Sequence, residues 1–385
     1  MVIHWVTTQP TPYNDFLLSC LASQSDFDLL VHFLEPSCDT HPWTERSPVG
    51  YRSRVVARRF FDLQLLGRAA TGQDALFVVA DWHCPVTVLL LGTLGLRSAR
   101  FILLTDTPNV NRRRSPAKAT LRRKWLKWVF QRASYVMGTG WPAISILEQM
   151  GCPDEKLVDF PYFVDLDFFS PATGPRRRTV ADEIVFLSSG RLVNSLKDHD
   201  DALRALATAR GLLGSGCPHI RYRIAGVGPD MRDLKRLVIA LGLADCVEFV
   251  GWLEYRELPD FYHSGDVLLH PAREEPFGVV VLESMACAVP VIGSDRTGSV
   301  LGRVVHSYNG WVHRAGDVAD LAAQLCAILR APEEIRVVGS RARKTAEEWP
   351  VARAVRILRE VINRSDGSAS VVCADLQREY TVPQG

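Results

Sequence analysis

Apolar runs of strand length alternate with segments of helix length along most of this chain, and no other feature constrains the fold as much. The runs in the first half are residues 2–6, 29–33, 75–79, 101–104 and 135–137. Those in the second half are residues 184–188, 222–225, 247–250, 267–270 and 289–292. Because parallel strands need crossover connections, the alternation predicts two parallel sheets covered by helices, an α/β fold.

The length of the chain points to two domains. A chain of 385 residues exceeds what a single hydrophobic core usually supports. Residues 169–178 contain two prolines and a glycine, a composition typical of a linker. We therefore predict a Rossmann-like domain over residues 1–170, a linker over 171–182, a second Rossmann-like domain over 183–345, a helix over 346–364 and a tail over 365–385. The cleft between two such domains is the default binding site.

The cysteine pattern favours a cytoplasmic protein. Nine cysteines form no C-x-x-C pair, so we expect thiols in a reducing compartment rather than disulfides or a zinc site. The chain opens on a strand-like run without a basic leader, so no signal peptide is expected. The longest uncharged apolar stretch, residues 86–96, is shorter than the roughly 20 residues that a spanning helix needs. We expect a soluble protein, peripheral on the inner face of the membrane at most.

Two carboxylates, eight residues apart, follow the fourth strand-like run of the second half. Glu275 follows that run on a loop, and Glu283 lies near the start of a helical pattern that Pro290 ends. Ligands of open α/β sheets bind outside the carboxyl ends of the strands, where a helix start offers unpaired N–H groups to a phosphate. There, Glu283 suits two ribose hydroxyls and Glu275 suits a sugar hydroxyl. Alternatively, Glu275 is a solvated loop residue and Glu283 only complements the helix dipole.

Two cations follow the first strand of the second half. Arg191 comes directly after Gly190, and Lys197 follows six residues later. When a diphosphate is the leaving group of a reaction, its negative charge grows in the transition state, and cations placed beside it favour that state. Arg191 can bind two phosphate oxygens at once, while Lys197 adds a point charge. The alternative is that both are surface charges on a loop.

These motifs carry a family resemblance. Together they resemble the retaining nucleotide-sugar glycosyltransferases of family four, which have the GT-B fold: two Rossmann-like domains face a central cleft, and the last helix crosses back to the first domain. The resemblance covers roughly residues 180–320. It rests on Pro271, Glu275, Phe277-Gly278, residues 282–286, residues 290–292, Asn309-Gly310 and Gly316-Asp317.

The resemblance implies an enzyme that moves a sugar from a nucleoside diphosphate sugar, UDP-sugar favoured over GDP-sugar, to a saccharide, lipid-linked or small-molecule hydroxyl with retention. It implies no enzyme nucleophile, because the leaving phosphate helps to remove the acceptor proton on one face of the sugar. It implies no cofactor, and no metal because Arg191 and Lys197 offset the phosphate charge. The implied roles are diphosphate binding by Arg191 and Lys197 after Gly190, ribose binding by Glu283, sugar binding by Glu275 with the backbone of Phe277, Gly278, Val279 and Val280, and a place beside the base for Gly251 and Trp252.

The acceptor side carries fewer signals. Family members have a Gly-Gly pair after the first strand, where this chain has Gln9-Pro10-Thr11-Pro12. Asp106 and His83 both follow strand-like runs, and either can orient or deprotonate an acceptor hydroxyl, Asp106 being nearer the usual place of a family histidine. The main alternative is a catalytically inactive GT-B protein that acts as a binding or membrane-surface subunit. GT-B epimerases lack this carboxylate spacing.

Two further patterns match known binding motifs only in part. Gly226 and Gly228 suggest a dinucleotide fingerprint, but Met231 replaces its third glycine. Asp165 and Asp167 suggest a metal-binding D-x-D, but the pair precedes the linker, and we expect a structural turn.

Residues 107–147 contain no acidic residue and many basic ones. Ser115-Pro116 predicts a helix start with a capping hydroxyl, and Leu121, Trp125, Trp128 and Val129 fall on one face. Two interpretations remain open: an anionic membrane surface binds the Arg112–Arg132 region, or the apolar face packs inward and the cations are solvated. No nucleic-acid motif is present. The basic residues are Arg112, Arg113, Arg114, Lys118, Arg122, Arg123, Lys124, Lys127 and Arg132.

Overall fold

The computed structural model describes residues 1–23, 27–36, 43, 50–56, 62–71, 75–108, 115–170 and 183–365. The chain divides into two compact units, one formed by Met1–Tyr162 with the chain from Val351 onward, the other by Phe163–Pro350. The expected linker, and the expected tail beyond residue 365, lie outside the described residues.

The first unit is built on a parallel sheet. Its described strands follow the order β3-β2-β1-β4-β5-β6-β7. They are β1 (Val2–Thr7), β2 (Asp28–Phe33), β3 (Arg52–Val55), β4 (Ala75–Val79), β5 (Phe101–Thr105), β6 (Tyr135–Gly138) and β7 (Leu157–Asp159). The central strand β4 is buried along its whole length, as its continuous apolar run predicts for a strand covered on both faces.

Helices cover this first sheet. They are α1 (Pro12–Ala22), α2 (Leu63–Thr71), α3 (Pro85–Leu96), α4 (Pro116–Arg132), α5 (Trp141–Gln149) and, from the chain's end, α14 (Val351–Ser365). The helix α14 packs on α1 within the first unit, so the last helix crosses back to the first domain as the resemblance implies. Its apolar residues recur at helical spacing and are buried on one face: Ala354, Val355, Ile357, Leu358, Val361 and Ile362.

The second unit repeats the architecture. Its described strands are parallel in the order β10-β9-β8-β11-β12-β13. They are β8 (Ile184–Ser189), β9 (Ile220–Ala225), β10 (Val247–Gly251), β11 (Val267–His270), β12 (Val291–Ser294) and β13 (Gly310–His313). The helices are α6 (Asn194–Lys197), α7 (His199–Leu213), α8 (Met231–Ala240), α9 (Leu258–His263), α10 (Val279–Ala286), α11 (Gly298–Arg303), α12 (Val318–Arg330) and α13 (Glu334–Glu347).

All ten strand-like runs form strands, but three further strands were not predicted. β3 and β7 are the two edges of the first sheet, and β13 is one edge of the second. Edge strands are covered on fewer sides, so they lack the continuous apolar run that marks a central strand. β3, for example, is Arg-Ser-Arg-Val and is mostly exposed.

Helix α4 differs from the prediction in its capping and in its buried face. The helix begins at Pro116 as expected, but the Ser115 side chain makes no capping hydrogen bond. Leu121 does not belong to the buried face, because it is 71% exposed. The buried residues are Leu126, Val129 and Phe130, one turn further along.

The two tryptophans of α4 pack on α3. The Trp125 and Trp128 rings stack with their centroids 5.2 Å apart. A Cβ added to Gly95 would lie 2.4 Å from the Trp128 ring, and one added to Gly92 would lie 3.6 Å from that of Trp125. The glycines of α3 therefore leave space for the indoles of Trp125 and Trp128, for which the sequence allowed either inward packing or contact with a membrane.

No helix within the described ranges is both long and apolar enough to cross a bilayer. The cysteines of those ranges are free thiols, most of them buried: Cys20, Cys84, Cys152, Cys217, Cys246, Cys287 and Cys326.

Candidate active site

The strand order of the second unit creates a crevice between β8 and β11. These two strands are neighbours, yet the chain continues from β8 to one side of the sheet and from β11 to the other. The loops that leave their carboxyl ends therefore diverge, which is where open α/β sheets bind ligands. The loop after β8 carries Gly190 and Arg191 and leads to Lys197, while the loop after β11 carries Glu275 and leads to α10.

The structure brings Lys197 and Glu275 together. The Lys197 ammonium is in direct contact with Glu275 Oε2. The backbone explains the contact, because Leu196 O accepts hydrogen bonds from Arg273 N at 2.9 Å and Glu274 N at 3.3 Å. Burial lowers the pKa of Lys197 to about 8, so the ammonium remains mostly charged at neutral pH.

Arg273 holds the turn between α6 and α7. Its guanidinium donates to Asp198 at 2.7 Å and to Asp201 at 3.0 Å. Asp198 adopts a left-handed φ of 56° between the two helices. Together with Asp200, these carboxylates form a compact acidic group, but Arg273 already satisfies two of them. Arg273 is thus a structural part of the site that the sequence analysis missed, although it stands two residues before Glu275.

Two glycines of the loop after β9 support the Gly190–Arg191 loop. A Cβ on Gly226 would lie 1.8 Å from Gly190 O, and one on Gly228 would lie 2.2 Å from Leu192 O. Gly190 N also donates to Ala225 O at 3.1 Å. The two glycines therefore let one loop approach another closely.

Arg191 lies on the loop that these glycines support. It is half-buried, and within the ranges given above its guanidinium has no hydrogen-bond or ion-pair partner. A half-buried cation without a partner beside a topological switch point is available to an anionic ligand.

The loop from Glu275 to Gly278 is held by the segment after β12. Glu275 N donates to Arg296 O at 3.2 Å, and Gly298 N donates to Glu275 O at 3.1 Å. Ser299 binds the same loop, its N–H to Phe277 O at 2.7 Å. Gly278 has φ 90° and precedes α10, whose first residues, Val279 and Val280, are half-buried. The first N–H groups of a helix have no partner within it and suit an anionic or hydroxyl ligand.

Glu283 lies on α10 and is buried, with 5% of its surface exposed. Tyr262 OH donates a hydrogen bond to Glu283 Oε2 at 2.7 Å. Burial raises the pKa of Glu283 to about 7, although the hydrogen bond from Tyr262 lowers it. Tyr262 was not assigned a role from the sequence, since a tyrosine in a helical apolar pattern is usually core.

Two other predicted positions have structural partners. Gly251 ends β10 with φ 88°, and Gly251 O accepts from Gly226 N at 2.6 Å. The indole of Trp252, half-buried, donates to Glu254 Oε1 at 3.1 Å. Asp165 accepts from the N–H groups of Asp167 and Phe168 at 3.1 and 3.0 Å, so it forms the structural turn that was expected.

The first unit has its own switch point, between β1 and β4. His83 lies in the loop after β4, and Asp106 follows β5, one strand further out. His83 Nδ1 lies 3.0 Å from Asp81 Oδ1, and Trp82 Nε1 donates to His83 Nε2 at 2.7 Å. The His83 side chain is 57% exposed, so the imidazole is both oriented and accessible.

Asp106 is embedded in hydrogen bonds. Thr139 Oγ1 donates to Asp106 Oδ1 at 3.1 Å, and Tyr162 also hydrogen-bonds to this carboxyl. Desolvation raises the pKa of Asp106, while these two hydrogen bonds lower it. Of the two acceptor-side candidates, His83 is the one beside the switch point.

Residues 175–345 match the family described as "Glycosyl transferases group 1". A D-inositol 3-phosphate glycosyltransferase of Geodermatophilus obscurus is 31% identical over 56% of this chain and 49% of the relative. A GDP-mannose-dependent alpha-(1-6)-phosphatidylinositol monomannoside mannosyltransferase of Mycolicibacterium smegmatis is 30% identical over 51% of this chain and 53% of the relative. The chain thus spans about half the length of the curated relatives it matches.

The likeness to solved structures extends further along the chain. Anabaena HepE, crystallised with UDP and glucose, superposes with a TM-score of 0.71 over 94% of this chain and 100% of that one, at 18% identity. At this identity the likeness shows the fold, which is GT-B as the sequence predicted. Residues 175–345, which hold every predicted donor residue, match the group 1 glycosyl transferases, and the resemblance to a family-four-type glycosyltransferase is confirmed.

Proposed function

We propose that this protein transfers a sugar from a nucleoside diphosphate sugar to a hydroxyl acceptor with retention at the anomeric carbon. The observation that carries the proposal is the arrangement at the β8–β11 switch point: an unengaged Arg191, and Lys197 in contact with Glu275. Two cations beside a carboxylate in one crevice fit a ligand that combines phosphates with hydroxyls.

The donor would bind by replacing contacts that the protein now makes with itself. Arg191 and Lys197 bind the diphosphate, and Glu275, released from Lys197, accepts from sugar hydroxyls. The N–H groups at the start of α10 lie beside the sugar, and Glu283 accepts from the ribose. Gly251 and Trp252 lie beside the base. UDP is favoured, since UDP is bound by the structurally similar HepE, and GDP is the alternative, since one relative is GDP-mannose-dependent.

The chemical step needs no group bound covalently to the enzyme. The bond between the anomeric carbon and the phosphate oxygen breaks, and the acceptor oxygen bonds to that carbon on the same face. The acceptor proton passes to the leaving diphosphate. Arg191 and Lys197 stabilise the negative charge that grows on this leaving group, so the proposal requires no metal.

His83 and Asp106 remain the candidates on the acceptor side. The imidazole of His83 is oriented by Asp81 and Trp82, and the Asp106 carboxyl by Thr139 and Tyr162. Either side chain can approach an acceptor hydroxyl. Because one face of α4 is basic, we also propose an anionic membrane surface as a partner. Such a surface suits a lipid-linked acceptor on the cytoplasmic side.

Release of the nucleoside diphosphate from a panel of UDP-, GDP- and ADP-sugars, in buffer with EDTA, tests the proposal. We expect one donor class to be consumed by the wild type and to lose most of its turnover in Glu283→Ala. Glu148→Ala, an exposed glutamate in the first unit, is the matched control and retains turnover. An inactive binding protein would bind a nucleotide without consuming any sugar donor, and a chain that binds no nucleotide would exclude both functions.

A further inference from the structure

His270 and Lys197 approach the same oxygen of Glu275. His270 is the last residue of β11 and is 5% exposed. Its Nε2 lies 3.6 Å from Glu275 Oε2, which is too long for a hydrogen bond. The ammonium of Lys197 is in contact with that same oxygen. Two donor groups therefore face one acceptor, and only Lys197 now engages it.

The imidazole of His270 is left unsatisfied by this arrangement. Among the described residues, its Nε2 has no hydrogen-bond partner. A buried polar group without a partner is unfavourable and points to a second state or a bound molecule that satisfies it. Burial, followed by the nearby charges of Lys197, His199 and His313, holds the pKa of His270 well below its usual value. The ring is therefore neutral, and the adjacent carboxylate favours the tautomer with the proton on Nε2.

We propose that His270 is a positioning residue that takes over Glu275 when Lys197 turns to the donor diphosphate. The inference rests on the proposed function. In the unliganded protein Lys197 neutralises Glu275. Once Lys197 binds phosphate, a shift of well under 1 Å brings Glu275 Oε2 within hydrogen-bond distance of His270 Nε2, starting from 3.6 Å. Glu275 then keeps one oxygen on His270 and presents the other to the sugar hydroxyls.

This exchange has a specific consequence for ligand binding. The nucleotide alone needs Arg191, Lys197 and Glu283, and His270 Nε2 is hydrogen-bonded to none of these described side chains. The sugar needs an oriented Glu275. Loss of the His270 N–H should therefore weaken binding of a nucleotide sugar more than binding of the free nucleotide, which draws Lys197 from Glu275 but does not need an oriented carboxylate.

Calorimetric titration of UDP and UDP-glucose, with GDP and GDP-mannose as the second pair, measures this ratio in the full chain. His270→Leu removes the N–H at similar volume, and His270→Gln keeps an N–H donor. His313→Leu is the matched control, because His313 is equally buried at the carboxyl end of β13 and its Nδ1 faces Arg314 O instead. We expect His270→Leu to lose about 10-fold of the affinity advantage of the sugar nucleotide, a loss typical of an orienting charge-assisted hydrogen bond, and the other two variants to retain it.

The outcomes separate this inference from the proposed function. A wild type that binds neither nucleotide pair overturns the proposed function and this inference with it. A wild type that binds the nucleotide sugar, together with a His270→Leu variant that keeps the full advantage, overturns the inference alone, as does an equal loss in His313→Leu. If His270→Leu does not fold, nitrogen-15 NMR of the wild-type imidazoles decides: because the diphosphate draws Lys197 from Glu275, the His270 Nε2 resonance shifts on adding the free nucleotide as well as the sugar nucleotide, and a resonance that neither ligand changes contradicts the exchange.

Discussion

Lys197 and Glu275 stand 78 residues apart in the chain, yet their charged groups are in direct contact at the end of two adjacent strands. The contact depends on α6 being tied through Leu196 O to the loop that carries Glu275. It keeps a partly buried cation and carboxylate satisfied until a ligand with the complementary groups arrives.

Lys197→Ala should lower turnover strongly. Removing one preorganised charge that stabilises a transition state typically costs about 10²- to 10³-fold in kcat. We expect a loss of that size, with Lys197→Met behaving alike because it also lacks the charge. Lys344→Ala, an exposed lysine of the same unit, is the control for changing a surface lysine. Steady-state assays of all three variants provide the comparison, and a loss below about 3-fold in Lys197→Ala would remove Lys197 from the chemistry.

Donor binding should weaken as the pH falls. The pKa of Glu283 is raised to about 7 by burial, and only the ionised carboxylate accepts from both ribose hydroxyls. From pH 8 to pH 6, protonation of Glu283 lowers the affinity for UDP about 10-fold, while Lys197, with a pKa of about 8, becomes fully charged and restores about 2-fold, so we expect a net fall of about 5-fold. Glu283→Gln should bind UDP weakly and lose this pH dependence. A wild-type affinity that is flat over this range would contradict the role of Glu283.

The same residue should limit stability. Because the pKa of Glu283 in the folded protein, about 7, exceeds its usual value of 4.5, the folded protein binds more protons than the unfolded chain between these pH values. The stability from the protonated form is therefore present below pH 4.5 and is lost as the pH rises through 7. At pH 8 we expect Glu283→Gln to raise the free energy of unfolding by up to about 3 kcal/mol.

Thermal or denaturant unfolding at pH 8 and pH 5 measures this effect, which should nearly vanish at the lower pH. Glu148→Gln, on the exposed face of α5, is the matched change and should alter stability at neither pH. Destabilisation by Glu283→Gln at pH 8 would show that the carboxylate is held by favourable contacts instead.

Gly226→Ala should damage the donor site through the backbone. Its Cβ would lie 1.8 Å from Gly190 O, and the residue has φ 128°, which disfavours a side chain. The loop that carries Arg191 has to move, so we expect both lower stability and at least a 10-fold loss of UDP affinity. Gly211→Ala, in α7 with open space around its Cβ, should be neutral or stabilising. Equal UDP affinities in the two variants would contradict the supporting role of Gly226.

The basic face of α4 should bind anionic membranes. Lys124 and Lys127 are exposed, and each basic residue near an anionic surface contributes about 1 kcal/mol. We expect sedimentation with vesicles that contain phosphatidylserine to fall markedly in Lys124→Glu/Lys127→Glu. Lys235→Glu/Arg236→Glu, a double change on α8 in the second unit, should have little effect. If sedimentation of the wild type does not depend on anionic lipid, the proposed membrane binding by α4 is wrong and the helix serves only to pack on α3.

The sequence predicted what depends on local pattern. The central strands and the positions of Glu275 and Glu283 follow from apolar runs and helix signals within a few residues. The same signals did not predict β3, β7 and β13, because the residue pattern of an edge strand resembles that of an exposed loop. Contacts between distant segments could not be predicted from the sequence either, because they depend on how the loops pack. Examples are the contacts of Tyr262 with Glu283 and of Arg273 with Asp198, and the approach of His270 to Glu275. The place of His83 beside the switch point of the first sheet was not predicted either, since the strand order locates the switch point and sequence alone does not give it.

The most direct test of the account is the anomeric configuration of a transferred sugar. The wild type should be incubated with the α-linked UDP- or GDP-sugar that it consumes and a simple hydroxyl acceptor, and the product examined by proton NMR. The account predicts an α-linked product, abolished in Glu283→Ala. A β-linked product would contradict retention, and the absence of any transfer from the whole donor panel would contradict the proposed function itself.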